Sequence, residues 1–97
     1  MKKFTVTEIT RTIKSLVEGS LKGSVAVTGE ISSHSRSPSG HHYFVLKDEN
    51  AKIKAVMFKG AAVANKTYNP KNGDSVQVIG DIKLYEPEGV YQVVVRK

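Results

Sequence analysis

Residues 40–58 of the chain read GHHYFVLKDENAKIKAVMF. Two runs of residues alternate in character, and the polar turn at residues 48–50 separates them. Because strand side chains point alternately to the two faces of a sheet, this pattern predicts a β-hairpin. One face of the predicted hairpin consists of His42, Phe44 and Leu46 from the first run and Ile53, Ala55 and Met57 from the second.

The opposite face of the predicted hairpin mixes aromatic, aliphatic and cationic side chains. It carries Tyr43, Val45 and Lys47 from the first run and Lys52, Lys54, Val56 and Phe58 from the second. A sheet face turned to solvent is usually polar. This mixture therefore predicts a surface on which a ligand stacks.

Three segments outside the hairpin also alternate like strands, at residues 24–33, 75–87 and 90–96. We expect their inward side chains to be Val25, Val27 and Ile31, then Val76, Val78, Ile82 and Leu84, then Tyr91, Val93 and Val95. Gly29 and Gly80 lie inside the first two segments, and a glycine within a strand often marks the corner of a barrel. The segment SSHSRSPSGHH before the hairpin is rich in Ser, Gly and Pro, so we expect it to interrupt the strand as an exposed, mobile loop.

Two helices are predicted. Residues 4–19 begin with a capping box, Thr5 followed three residues later by Glu8, and end at Gly19. Their apolar side chains recur at helical spacing, and we expect this stripe to pack on the domain. The stripe consists of Ile9, Ile13, Leu16 and Val17. A short Ala-rich helix from Lys59 to about Lys66 is predicted before the turn signals at residues 69–73.

Length and composition indicate one globular domain. The chain has 97 residues, of which 39% are hydrophobic and 25% charged. It has no cysteine, so a disulfide framework and thiolate metal ligands are excluded. No apolar run follows the two N-terminal lysines, so we expect no signal peptide. We therefore expect a cytoplasmic protein. The net charge of +6 favours polyanionic partners such as nucleic acids.

The order of elements predicts a mainly β fold, a five-stranded Greek-key barrel of the OB-fold type. A leading helix precedes the first strand, and the short helix lies between strands 3 and 4. In this architecture the ligand platform is usually formed by strands 2 and 3 with loops 1-2 and 4-5. Here those parts are the hairpin, the SSHSRSPSGHH segment, and the turn EPEG at residues 86–89 with its neighbour Tyr85.

The motifs GEIS, SGH-YF-LKDE, VMF-G and LYEP-G-YQ, within residues 29–60 and 72–95, resemble the N-terminal domain of the bacterial exodeoxyribonuclease VII large subunit. Residues 4–19 are similar to that family's leading helix. The resemblance implies that residues 1–97 form a single OB-fold that binds single-stranded DNA. It also implies partners, a catalytic domain of the same subunit and a separate small subunit. Family members often have Trp at the position of His42, so this chain differs there.

Because the chain ends at Lys97, we expect an N-terminal fragment that presents single-stranded DNA to a nuclease domain it does not contain. We expect no cofactor. The stacking candidates are Tyr43, Phe58 and Tyr85, because single strands are held by bases on aromatic rings and phosphates on cations. The phosphate candidates are Lys47, Lys52, Lys54, Lys59 and Arg36, with Ser37, Ser39 and His41 as hydrogen-bonding neighbours.

The sequence also has to be considered for a metal site, a catalytic carboxylate pair, RNA binding and protein docking. The three histidines lack the cysteine or nearby carboxylate ligands that usually complete a zinc site, so we expect no metal. Asp48 and Glu49 lie in a turn that offers no burial to separate their pKa values, so we expect no catalytic dyad. An RNA-binding module of the kind attached to tRNA synthetases stays open. A protein-docking domain for subunit assembly also stays open as an alternative. Val45 and Val56 on the outer hairpin face favour it.

Overall fold

The computed structural model describes residues 1–65 and 69–97 of the protein. The elements in these ranges are α1 (Val6–Ser20), β1 (Val25–Arg36), β2 (His42–Lys47), β3 (Lys52–Met57), α2 (Lys59–Ala64), β4 (Ser75–Tyr85) and β5 (Val90–Val95). The predicted mainly β fold and the order of its elements are confirmed. The predicted end of the second helix, near Lys66, lies outside the described residues.

The strands form a closed barrel in the order β1-β2-β3-β5-β4. β3 and β5 are parallel, and the other neighbouring pairs are antiparallel. The two long strands, β1 and β4, each pair with one neighbour along their first half and with another along their second half. β1 pairs with β4 along Val25–Glu30 and with β2 beyond it, while β4 turns from β1 to β5 at Gly80. Closure removes most of the free strand edges that an open sheet would expose.

Glycines lie at both of these bends, as predicted. A Cβ atom on Gly80 would overlap the carbonyl oxygen of Val94 on β5. A Cβ atom on Gly29 would lie 3.1 Å from the carbonyl oxygen of Lys47 on β2. Gly80 therefore requires glycine because a neighbouring backbone approaches closely, whereas a side chain at Gly29 would require the β2 backbone to shift slightly.

Most side chains on the inward faces predicted from the alternation are buried or pack against the core. The buried cluster consists of Ile31, Phe44, Leu46, Ala55, Met57, Val78, Val93 and Val95. Tyr91 was expected to point inward with Val93, and this prediction is wrong, because its side chain is 57% exposed. It is the second residue of β5, beside the β4–β5 turn, where the barrel interior ends.

The expected interruption of β1 is also wrong. β1 continues through the serine-rich segment to Arg36, and a bulge between Ser32 and Ser35 absorbs the irregularity, with Ser33 at φ 52°. Pairing with β2 satisfies the backbone and outweighs the local turn propensity of serine. The remaining loop, residues 37–41, is a hydrogen-bonded turn in which the Ser37 N–H donates to the His41 carbonyl oxygen at 2.8 Å.

α1 begins as predicted. The Thr5 N–H donates to the Glu8 carboxylate at 2.8 Å, and the Glu8 N–H donates to the Thr5 hydroxyl at 3.1 Å, which completes the capping box. The helix lies against β4, where the Glu18 carboxylate accepts the Leu84 N–H at 3.0 Å. This hydrogen bond satisfies a backbone N–H group of β4 that does not pair with β5. Neither helix in the described residues is long and apolar enough to cross a membrane.

Only part of the predicted apolar stripe of α1 is covered by the domain, because Val17 is partly buried and the other three members are not. Ile9, Ile13 and Leu16 are exposed, Leu16 by 65%, and no residue of α1 is buried. Polar contacts hold the helix instead, because Lys14 lies 3.6 Å from Glu86 in addition to the contacts of Glu18. We refer to the exposed side chains Val6, Ile9, Ile13 and Leu16 as the α1 stripe.

Candidate nucleic-acid interface

The outward side chains of β2 and β3 lie in cross-strand rows. The register places Tyr43 opposite Val56, Val45 opposite Lys54, and Lys47 opposite Lys52. His41 and Phe58 extend the same alternation by one row, and their rings contact each other edge to face with centroids 5.4 Å apart. We refer to the surface formed by His41, Tyr43, Val45, Lys47, Lys52, Lys54, Val56 and Phe58 as the hairpin face. Its rings lie at one end and its lysines at the other.

The aromatic end of the hairpin face is open. Tyr43 and Phe58 are 44% and 45% exposed, because α1 lies against β4 and does not mask them. His41 connects this end to α2, since its Nδ1 atom accepts the Lys59 N–H at 2.9 Å. The neutral His41 ring therefore carries its hydrogen on Nε2, which leaves that atom free to donate to a ligand.

The lysine end of the hairpin face concentrates positive charge. Lys47, Lys52 and Lys54 are all exposed, and Lys47 and Lys52 are direct cross-strand neighbours. Like charges placed opposite each other destabilise a sheet, and a bound anion relieves that repulsion. Lys54 Nζ lies 3.5 Å from a carboxylate oxygen of Glu88 in the β4–β5 turn. Exposed ion pairs of this kind contribute only about 0 to 1 kcal/mol, so a phosphate can replace the carboxylate.

Three further predicted residues meet beside the aromatic end. Arg36, Ser39 and Lys59 line one depression of about 350 Å³. Arg36 is the last residue of β1 rather than part of a loop, so a strand positions its backbone. Ser37 has a local partner, because its hydroxyl accepts the His41 N–H at 3.1 Å. A ligand contact from Ser37 stays a prediction.

Tyr85 is exposed but does not join the other rings. It points outward from β4, four residues beyond Asp81, which lies in the same row as Tyr43 across three strand spacings. With about 3.3 Å per residue and 4.8 Å between strands, Tyr85 lies roughly 20 Å from Tyr43 along the sheet. The structure therefore places Tyr85 beside the lysine end, away from Tyr43 and Phe58 at the aromatic end.

The prediction that Val56 contributes to the exposed outer face of the hairpin is wrong. Alternation places it outward, yet its side chain is only 2% exposed. It is paired with Tyr43 on one side and Val94 on the other, because β3 lies between β2 and β5. Val56 therefore offers a docking partner no accessible apolar surface, which removes one of the two residues that favoured that role.

His42 belongs to the interior. Its Nδ1 atom lies 2.9 Å from His34 Nε2, and its side chain is 8% exposed. Burial lowers the pKa of His42, and the nearby His34 and Arg36 lower it further. The ring is therefore neutral near pH 7. Sequence reasoning missed this pair, because its members lie on different strands, joined across the β1 bulge.

The described residues, 1–65 and 69–97, contain no group of three or more potential metal ligands. Asp48 has a structural role in the β2–β3 turn, where it accepts the N–H groups of Asn50 at 2.8 Å and Ala51 at 2.9 Å. These hydrogen bonds lower the pKa of Asp48. A carboxylate held in its charged form by the backbone is poorly suited to share a proton with Glu49.

Sequence comparison identifies relatives of the chain. A family model described as an OB-fold nucleic acid binding domain matches residues 4–97. The chain is 42% identical over 91 residues to the Exodeoxyribonuclease 7 large subunit of Sodalis glossinidius (strain morsitans), and 45% identical over 94 residues to that of Lactiplantibacillus plantarum. These matches cover 94% and 96% of this chain but only 19% and 21% of the relatives, so the chain spans about a fifth of their length. The predicted resemblance is confirmed.

Solved structures agree on the fold. Asparaginyl-tRNA synthetase from Pyrococcus horikoshii aligns with a TM-score of 0.64 at 24% identity, over 84% of this chain and 20% of that one. The S. pombe Stn1-Ten1 complex aligns with a TM-score of 0.61 at 13% identity, over 76% of this chain and 54% of that one. At these identities the likeness concerns the fold alone. The closed barrel and the family match over residues 4–97 together show that the chain belongs to the family of OB-fold nucleic-acid-binding domains.

Proposed function

We propose that the chain binds single-stranded DNA on the hairpin face and presents it to a nuclease domain of a longer subunit. The observation that carries this proposal is the open hairpin face, with two exposed rings at one end and three exposed lysines at the other. Its relatives are named as large subunits of an exodeoxyribonuclease, and the chain corresponds to about a fifth of their length. We assign cutting to another part of the subunit, as the family resemblance implies.

Single-strand binding needs rings for the bases and cations for the phosphates, and the hairpin face offers both. Bases stack on Tyr43 and Phe58, where each stack contributes about 1 to 3 kcal/mol. Phosphates contact Lys47, Lys52 and Lys54. At the aromatic end the strand also contacts Arg36 and Lys59, with Ser37, Ser39 and His41 as additional hydrogen-bonding groups.

The arrangement favours a single strand over a duplex. Stacking on a protein ring requires a base whose flat side is accessible, and in a duplex the base faces are stacked on each other. Stacking does not depend on the identity of the base, so we expect weak sequence preference. In the longer subunit we propose two protein partners, the catalytic domain and a separate small subunit, which the family resemblance implies.

Fluorescence anisotropy of a labelled oligothymidine at low salt tests the proposal. We expect binding that weakens as salt rises, because bound phosphates release counterions. An RNA strand of the same length provides the comparison for the RNA-binding alternative, since only RNA offers the 2′-hydroxyl. Absence of binding to the DNA strand, or an affinity that does not change with salt, contradicts the proposal. Clearly tighter binding of the RNA strand favours the alternative.

A further inference from the structure

A depression lies at the lysine end of the hairpin face, between β3 and the β4–β5 turn. It has a volume of about 390 Å³, and its lining includes Val45, Lys52, Lys54, Gly89 and Val90. Three of these residues also belong to the hairpin face, so the depression continues that surface toward β5. The platform predicted from the sequence already joined the hairpin to the turn at residues 86–89, and the depression adds Val90 at the start of β5 to it.

The lining combines apolar and cationic groups. Val45 and Val90 are both partly buried outward-facing residues, on β2 and β5, and Lys52 and Lys54 carry their charges on β3 between them. A free anion gains nothing from the valines, and an apolar side chain gains nothing from the lysines. A nucleotide matches both, since its base is flat and uncharged and its phosphate is anionic.

Glu88 already forms an ion pair with one of these two lysines. Its carboxylate lies 3.5 Å from Lys54 Nζ, and the two side chains are 57% and 61% exposed. The neighbouring Gly89 has φ +65°, a conformation that favours glycine and shapes the turn that carries Glu88. The carboxylate therefore occupies one of the positions from which a phosphate can contact Lys54.

We propose that this depression is a nucleotide subsite in which the base rests on Val45 and Val90 and the phosphate displaces Glu88 from Lys54. The inference rests on the proposed function, because it extends the path of the same single strand beyond Tyr43. It assigns Glu88 a definite role, which is to compete with the nucleic acid for Lys54 and so to limit its affinity.

A double-mutant cycle tests the competition. We measure the anisotropy of labelled oligothymidine with the unaltered chain, Glu88→Gln, Lys54→Gln and the double variant. Glu88→Gln is expected to bind about two- to fivefold more tightly, which is the size of a released surface ion pair. In the Lys54→Gln background the same change is expected to have almost no effect, because the cation for which Glu88 competes is gone.

Glu49→Gln is the matched control. It removes the same charge from another exposed turn at the lysine end, and no ion pair links it to Lys54 among the described contacts. If Glu49→Gln raises the affinity for oligothymidine simply by removing a negative charge, the same increase is expected in the Lys54→Gln background. If Glu88→Gln leaves the affinity unchanged, or changes it equally with and without Lys54, then Glu88 does not compete with the nucleic acid for Lys54. If the unaltered chain does not bind at all, the proposed function fails instead.

Val90→Thr tests the position of the base. The substitution nearly preserves side-chain shape but places a hydroxyl on the surface where the base would rest, so we expect an affinity about two- to threefold weaker. A urea unfolding curve establishes that the variant is folded. A folded Val90→Thr variant with unchanged affinity would show that no base rests there.

Discussion

The hairpin face and the α1 stripe are both open to solvent, and they differ in chemistry. The hairpin face carries two exposed rings at one end and three lysines toward the other, on a pair of strands that the core holds in place. The α1 stripe is purely aliphatic, and it lies on a helix without a buried residue. Exposure alone therefore does not identify a nucleic-acid interface. The combination of stacking surface and positive charge on a rigid support distinguishes the hairpin face.

The largest expected difference between the two regions concerns stability. Leu46 lies on the inner side of the hairpin at 2% exposure, so Leu46→Ala is expected to lower the free energy of unfolding by about 2 to 5 kcal/mol. Leu16→Ala in the α1 stripe makes the same chemical change at an exposed position and is expected to cost less than about 0.5 kcal/mol. Urea unfolding measures both. Comparable losses would show that the stripe supports the fold.

The next largest effect concerns binding by the rings. Tyr43→Ala and Phe58→Ala each remove a stacking surface and are expected to weaken oligothymidine binding by about 1 to 3 kcal/mol, or roughly 5- to 150-fold. Tyr43→Phe retains the ring and is expected to bind nearly as well as the unaltered chain. Leu16→Ala is expected to leave the affinity unchanged. Loss of folded structure in the alanine variants would show that the rings belong to the core.

A smaller effect concerns the lysines. Each phosphate contact on a single strand contributes about −0.7 to the slope of log affinity against log salt, so Lys47→Gln, Lys52→Gln and Lys54→Gln should each reduce the slope by up to that amount. Lys22→Gln removes an equal charge from the connection between α1 and β1 and is expected to leave the slope unchanged. Equal changes at all four positions would mean that only net charge matters.

The smallest predicted effect concerns the inner side of the hairpin and depends on pH. The pKa of His42 is lowered in the folded state, chiefly by burial, from an ordinary value of 6.5. The unfolded chain therefore takes up this proton at a higher pH than the folded chain. The free energy of unfolding is expected to decrease as pH falls below about 6.5 and to level off below the folded pKa. His42→Phe is expected to reduce this decrease in urea unfolding series, and an unchanged profile would contradict the assignment.

Alternation along residues 42–58 was sufficient to predict the hairpin and its two faces, because the period of two is a property of every strand. It does not show where the barrel ends or what lies beside a strand. For this reason Tyr91 was placed inside and Val56 outside. Local composition predicts a loop in the serine-rich part of β1, because composition does not show the partner strand that satisfies the backbone there.

The orientation of α1 depended on distant contacts. Its capping box and apolar spacing are local and were predicted, but the helix is held by Glu18 at Leu84, 66 residues away. The same limit applies to the candidate site. The residues of the hairpin face follow from alternation, whereas the approach of Glu88 to Lys54 depends on the closure of the barrel.

Chemical-shift mapping by NMR can show where a single strand binds, because one titration with unlabelled oligothymidine reports on both the hairpin face and α1. The backbone amides of residues 41–47 and 52–59 are expected to shift progressively and to saturate, while those of residues 6–16 stay unchanged. Shifts concentrated on α1, with the hairpin face unaffected, would contradict the account.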